Sequence, residues 1–115
     1  MINLIFSPLN LDVLSTESDM DIEDLKSILQ IYVHELARDL EKLSKTLEMN
    51  NIKSMLDVTH KMRGDSSTIA LTELEALIVD FEKNALTENY TLLHKQFSIL
   101  SSYHTFLATW IESLT

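Results

Sequence analysis

The chain has 115 residues, 18 acidic against 9 basic side chains for a formal net charge of −9, no cysteine, one glycine and one proline. Such a length supports a single core, and the charge has the wrong sign for a nucleic-acid-binding face. The missing cysteines exclude disulfides and cysteine-held zinc or iron–sulfur centres, and the scarcity of turn formers favours helices with short connections over a sandwich or barrel.

Residues 1–18 read as an amino-terminal extension. Met1 to Leu11 contains Pro8 and two asparagines, which predicts an extended lead-in whose Ile2, Leu4, Ile5 and Phe6 need burial against the bundle or a partner. It lacks the basic start and apolar run of a signal peptide, and no stretch reaches the roughly 18 apolar residues of a membrane span, so a cytoplasmic, soluble protein is expected. A short helix is predicted from Asn10 to about Thr16, with Leu11 and Leu14 inward. Asp12 to Asp24 holds six acids and no base, well placed near a helix start.

Residues 19–115 are predicted to form an all-α, up-and-down antiparallel four-helix bundle. Its first helix should begin at 19–21 and run to Glu48, since Ile22, Leu25, Leu29, Tyr32, Leu36, Leu40, Leu43 and Leu47 alternate steps of three and four. That is about 40 Å of helix. Glu35 and Asp39, followed by Lys42 and Lys45, read as a solvated face with weak surface pairs. Asn51 is the expected cap of a second helix from Ile52 to about Ala70. Thr72 with Glu75 has the pattern of a capping box opening a third helix that buries Leu74, Leu77, Ile78 and Phe81. After a turn at 86–89, capped by Thr87 or Asn89, the last helix follows Tyr90, Leu93, Phe97, Leu100, His104, Leu107, Ile111 and Leu114.

The second of these helices carries the chemistry. At about 100° per residue, His60, Arg63, Gly64 and Ser67 share one stripe, while Ile52, Met55, Thr59, Met62, Ser66 and Ile69 mark a neighbouring core face. His60 is therefore expected at the edge of the buried face, ring toward solvent. Glycine in mid-helix costs about 1 kcal/mol against alanine, so its single use one turn after a histidine calls for a reason. That reason is access: something large can approach the imidazole. An unprotonated imidazole is a good nucleophile near neutral pH, and Lys61 and Arg63 are placed to supply positive charge beside it.

His60-Lys61-Met62-Arg63-Gly64-Asp65-Ser66-Ser67 resembles the signature of histidine-containing phosphotransfer (HPt) domains: histidine, a basic residue three positions on, glycine, then small residues. The similarity extends over about Asp21 to Leu114 and includes the Phe81-Glu82 pair, and in size the chain is similar to small free-standing HPt proteins. The resemblance implies a phosphorelay intermediate in which His60 accepts a phosphoryl group from the receiver-domain aspartate of a hybrid sensor kinase and passes it to a response regulator's receiver. It implies phosphorylation at Nε2, with Glu82 hydrogen-bonded to the other ring nitrogen and Ser67 a second phosphate contact. Magnesium is expected on the partner receiver, so no cofactor and no kinase activity belong to this chain, which is expected to be a monomer. Exposed apolar side chains such as Met62 are expected to dock the receiver. Asp65 and Ala70 depart from the family pattern, standing where small neutral residues and glycine are usual.

Competing chemistry is poorly served. Asp57 and His60 have a carboxylate-x-x-histidine spacing, but no second pair exists for a dinuclear metal site. Ser66 and Ser67 lack a positioned base. His34, His94 and His104 are expected as packing or surface residues, and Tyr103, Phe106 and Trp110 as core. The alternative from another class is a helical adaptor that binds a receiver or another protein without carrying phosphate.

Overall fold

A computed structural model describes residues 5–114 of the chain. Five helices, α1 (Leu11–Ser18), α2 (Ile22–Glu48), α3 (Ile52–Thr68), α4 (Thr72–Leu86) and α5 (Tyr90–Glu112), account for all the regular structure of these residues. Four of them open on the same device. The side chains of Asn10, Asp21, Asn51 and Asn89 each accept a hydrogen bond from the backbone N–H three residues on, satisfying a donor that a helix start leaves orphaned. The exception is α4. Its cap position is Leu71, which is 1% exposed and has no polar oxygen to offer; Thr72 is already helical, so the predicted capping box with Glu75 does not form. Glu73 and Glu75 in the first turn instead place negative charge at the positive end of the helix.

The helix ends repeat one motif four times. Asp19, Asn50, Ala70 and Glu88 take φ values of 57°, 50°, 58° and 55°. The following N–H in each case reaches back across the turn: Met20 to the Ser15 carbonyl (3.2 Å), Asn51 to Thr46 (3.0 Å), Leu71 to Ser66 (2.9 Å) and Asn89 to Asn84 (3.1 Å). These are Schellman-type closures made without glycine, so each forces a Cβ into left-handed backbone. The left-handed Ala70 also explains why α3 stops at Thr68 rather than continuing to the predicted Ala70. Connections this short favour antiparallel neighbours among the four long helices.

In the resulting square α2 and α4 each lie against both α3 and α5. The apolar positions predicted for α2 are buried except Ile22, and the long dimension of the molecule, 40 Å, is that of this helix. At one end α1 packs on α2, and its buried Leu14 shares a pocket with the lead-in, the start of α4 and Tyr103. There Phe6 meets the Tyr103 ring edge-on at 5.0 Å and Phe106 at 5.4 Å, while Ser7 donates to the Glu73 carboxylate. Tyr103 is buried, and that burial, aided by the Glu73 charge, pushes its hydroxyl up to about 12. Ile5, expected to be covered by the bundle or a partner, is 91% exposed. Ile2 and Leu4 lie outside the described residues.

His104 Nε2 lies 3.0 Å from the Val33 carbonyl and ties α5 to α2, whereas His34 and His94 are exposed. Among the described residues no helix is long and apolar enough to cross a membrane. The turn geometry generates one prediction. Ala70→Gly should raise stability by about 1 kcal/mol, seen as a higher urea midpoint at unchanged slope, because a left-handed alanine is strained and glycine is not.

Candidate functional site

α3 divides its residues cleanly. Met55, Thr59, Met62 and Ser66 are buried, and on the outward side His60, Gly64 and Ser67 are exposed with Arg63 half-buried. The predicted stripe is therefore one continuous surface strip. Met62 is not part of it: two residues from His60 the helix has turned about 200°, so this side chain is fully buried and cannot dock a partner as expected.

Gly64 has ordinary helical backbone, and a Cβ built on it would meet nothing within 4 Å. Neither the backbone nor the packing of this chain requires glycine there. A residue that costs about 1 kcal/mol in a helix and serves nothing inside the molecule points to a constraint outside it.

Next to His60 a polar chain runs from α3 to α4. Arg63 Nη2 lies 3.2 Å from His60 Nδ1, and Arg63 Nη1 donates to Glu82 Oε1 at 3.0 Å. The other oxygen, Glu82 Oε2, accepts from the Thr59 hydroxyl at 3.2 Å. The planar guanidinium fork fills the space between carboxylate and imidazole. Glu82, expected to bond the ring directly, thus reaches it through Arg63. All three residues line a groove of about 560 Å³ between α3 and α4, closed at its sides by Leu56, Val79 and Lys83.

Lys61 leaves the helix on the opposite flank. Its Nζ lies 3.0 Å from Asp39, 3.0 Å from Asp65 and 3.5 Å from Glu35, and so does not face the imidazole as the sequence suggested. Asp39, read as a solvated charge of α2, is 2% exposed. Spacing within α2 could not reveal this, since its partner comes from another helix. Burial works against the ammonium, but the hydrogen bonds to Asp65 and Asp39 outweigh it and hold Lys61 above the ordinary lysine range. Asp65, the anion that departs from the family pattern, is matched by that same ammonium.

Beyond Lys61 lies a second groove of about 380 Å³, floored by Tyr32 and Ile69 and edged by Ile28 and Ile31 of α2. Ile31 is 65% exposed. This apolar surface was missed because both residues sit one position before core residues of α2, where they read as surplus to the stripe. Among the described residues no cluster of three or more histidine, aspartate or glutamate side chains could hold a metal ion.

Two stability effects follow. Gly64→Ala should stabilise the fold by about 1 kcal/mol in urea unfolding, there being room for the methyl and a helix propensity to gain. Lys61→Met should destabilise it by about 2 kcal/mol by stranding the buried Asp39 carboxylate, and Lys61→Met combined with Asp39→Leu should recover most of that loss.

No curated protein and no solved structure matches the chain. A family model described as Hpt domain matches residues 27–114. That span reaches into all four bundle helices and contains both His60 and the groove beside it. The chain belongs to the Hpt domain family, whose members act as histidine phosphotransfer carriers in phosphorelays.

Proposed function

We propose that His60 is the residue phosphorylated in this chain, receiving the phosphoryl group from the receiver domain of a hybrid sensor kinase and yielding it to that of a response regulator. The observation that carries this reading is the pairing of an exposed imidazole with a glycine that nothing in the chain requires. Nε2 attacks the phosphorus of the receiver's acyl phosphate, the phosphorus–oxygen bond breaks, and its electron pair stays on the aspartate carboxylate. The product is a phosphoramidate reactive enough to run the same step in reverse toward a second receiver. Such transfer depends on in-line positioning and on charge at the equatorial oxygens. Arg63 supplies that charge from this chain, Ser67 lies on the same strip for a further oxygen contact, and the receiver contributes its own aspartate and magnesium. Lys61, engaged with three carboxylates, acts on the position of α3 and not on the phosphoryl group.

A receiver seated over Gly64 extends naturally toward Ile28 and Ile31, whose exposed apolar surface takes the docking part assigned to Met62. The protein works as a monomeric cytoplasmic carrier without nucleotide or kinase activity. An adaptor that carries no phosphate would need the Arg63 tie to α4 but not an exposed imidazole placed against the same guanidinium, and that pairing favours the carrier.

His60→Gln should abolish labelling by a phosphorylated receiver while the helical circular dichroism is unchanged; uptake at the wild-type level would defeat the assignment. Gly64→Leu should slow transfer on the order of 100-fold with His60 intact, since a small displacement from in-line geometry suffices for that loss. The phosphorylated protein should lose its label in acid and keep it in base.

A further inference from the structure

We propose that Arg63 holds His60 in a resting tautomer that cannot attack, and that transfer requires the guanidinium to leave Nδ1 and surrender that nitrogen to Glu82. The proposal rests on the reading of His60 as the phosphorylated residue and adds a state of the site that precedes the reaction.

Hydrogen-bond sense sets the tautomer. A guanidinium has five N–H donors and no acceptor, so at 3.2 Å from Arg63 Nη2 the nitrogen Nδ1 must present its lone pair. In the neutral ring the proton then sits on Nε2, the atom that faces the incoming phosphorus. An Nε2 that carries a proton has no lone pair to give. Glu82 has the opposite sense: an ionised carboxylate only accepts, so it matches a ring whose proton is on Nδ1 and whose Nε2 is free. The donor-only Arg63 therefore lies against Nδ1 with the acceptor-only Glu82 directly behind it, and the two favour opposite tautomers. In the structure the donor holds the ring, while the acceptor is occupied by Arg63 Nη1 and the Thr59 hydroxyl.

An incoming phosphoryl group changes which arrangement is preferred. Its equatorial oxygens offer the guanidinium a bidentate, doubly charged partner, which competes with the imidazole lone pair and the single Glu82 oxygen that hold it at rest. When Arg63 swings to those oxygens, Nε2 gives its proton to water and Nδ1 takes one from water, so the ring's proton count is unchanged. Nδ1–H then donates to Glu82. Nε2 forms the bond to phosphorus as the acyl phosphorus–oxygen bond breaks onto the aspartate. Arg63 is on this account a positioning residue before transfer and a phosphate contact during it, and the ring is held unreactive until a phosphoryl group is present.

The test is the protonation of the His60 ring nitrogens, read from long-range proton–nitrogen correlation spectra at about pH 8.5, two units above the ordinary histidine range. The His60 signals are assigned by their loss in His60→Gln. Wild type should show an unprotonated Nδ1 and a protonated Nε2. A free neutral imidazole already leans this way, so the variants decide. Arg63→Met, which removes every donor, should invert the pattern by giving Nδ1–H to Glu82, and Arg63→Lys, which keeps a donor, should leave it as in wild type. A wild-type ring with its proton on Nδ1, or an Arg63→Met ring identical to wild type, overturns the proposal. Because no phosphate enters this experiment, such a result leaves the carrier assignment standing; that assignment fails separately, if phosphorylated receivers do not label His60.

Discussion

Two cations two residues apart tie α3 down on both flanks, and the exposed strip between them exists because of it. Lys61 reaches α2 through the buried Asp39, and Arg63 reaches α4 through Glu82. Charged ties on opposite sides oppose rotation either way, and both are partly shielded from water, where such pairs hold geometry better than exposed ones. His60 and Gly64 then project from the sector that is left.

The chain's use of glycine runs against its local needs. Four turns place a side chain in left-handed backbone, where glycine would relieve strain, yet the one glycine stands in a regular helix where alanine would fit. Stability is given up at both kinds of position. At two of the turns Asp19 and Asn50 are tolerable substitutes, as short polar residues visit this region more readily than others, while Ala70 and Glu88 are not of that type. At Gly64 no internal substitute explanation exists, and the loss is compensated only if the bare backbone serves an approaching surface. This is the usual form of a conflict between stability and function.

Much of the fold was readable because helix periodicity is a local property. The steps of three and four along α2, the Asn51 cap before α3 and the choice of Thr87 or Asn89 before α5 placed those helices to within three residues, and the all-helical class followed from their lengths and short connections. What escaped was what depends on a neighbouring helix. Leu71 took the cap position of α4 because the core claimed it, against the pattern of Thr72 and Glu75. Asp39 looked like a surface acid until α3 supplied its cation. At the site, periodicity placed His60, Arg63, Gly64 and Ser67 on one strip, but it could not choose which flank Lys61 would take. Nor could it show that Arg63 stands between Glu82 and the ring, because that depends on the distance between α3 and α4.

After brief exposure of the wild-type chain to a phosphorylated receiver, phosphorus–nitrogen coupling in the spectrum of the intact protein locates the phosphoryl group directly. The account requires it on Nε2 of His60 and on none of His34, His94 or His104. A phosphoryl group on any of those three, or on Nδ1 of His60, would contradict it.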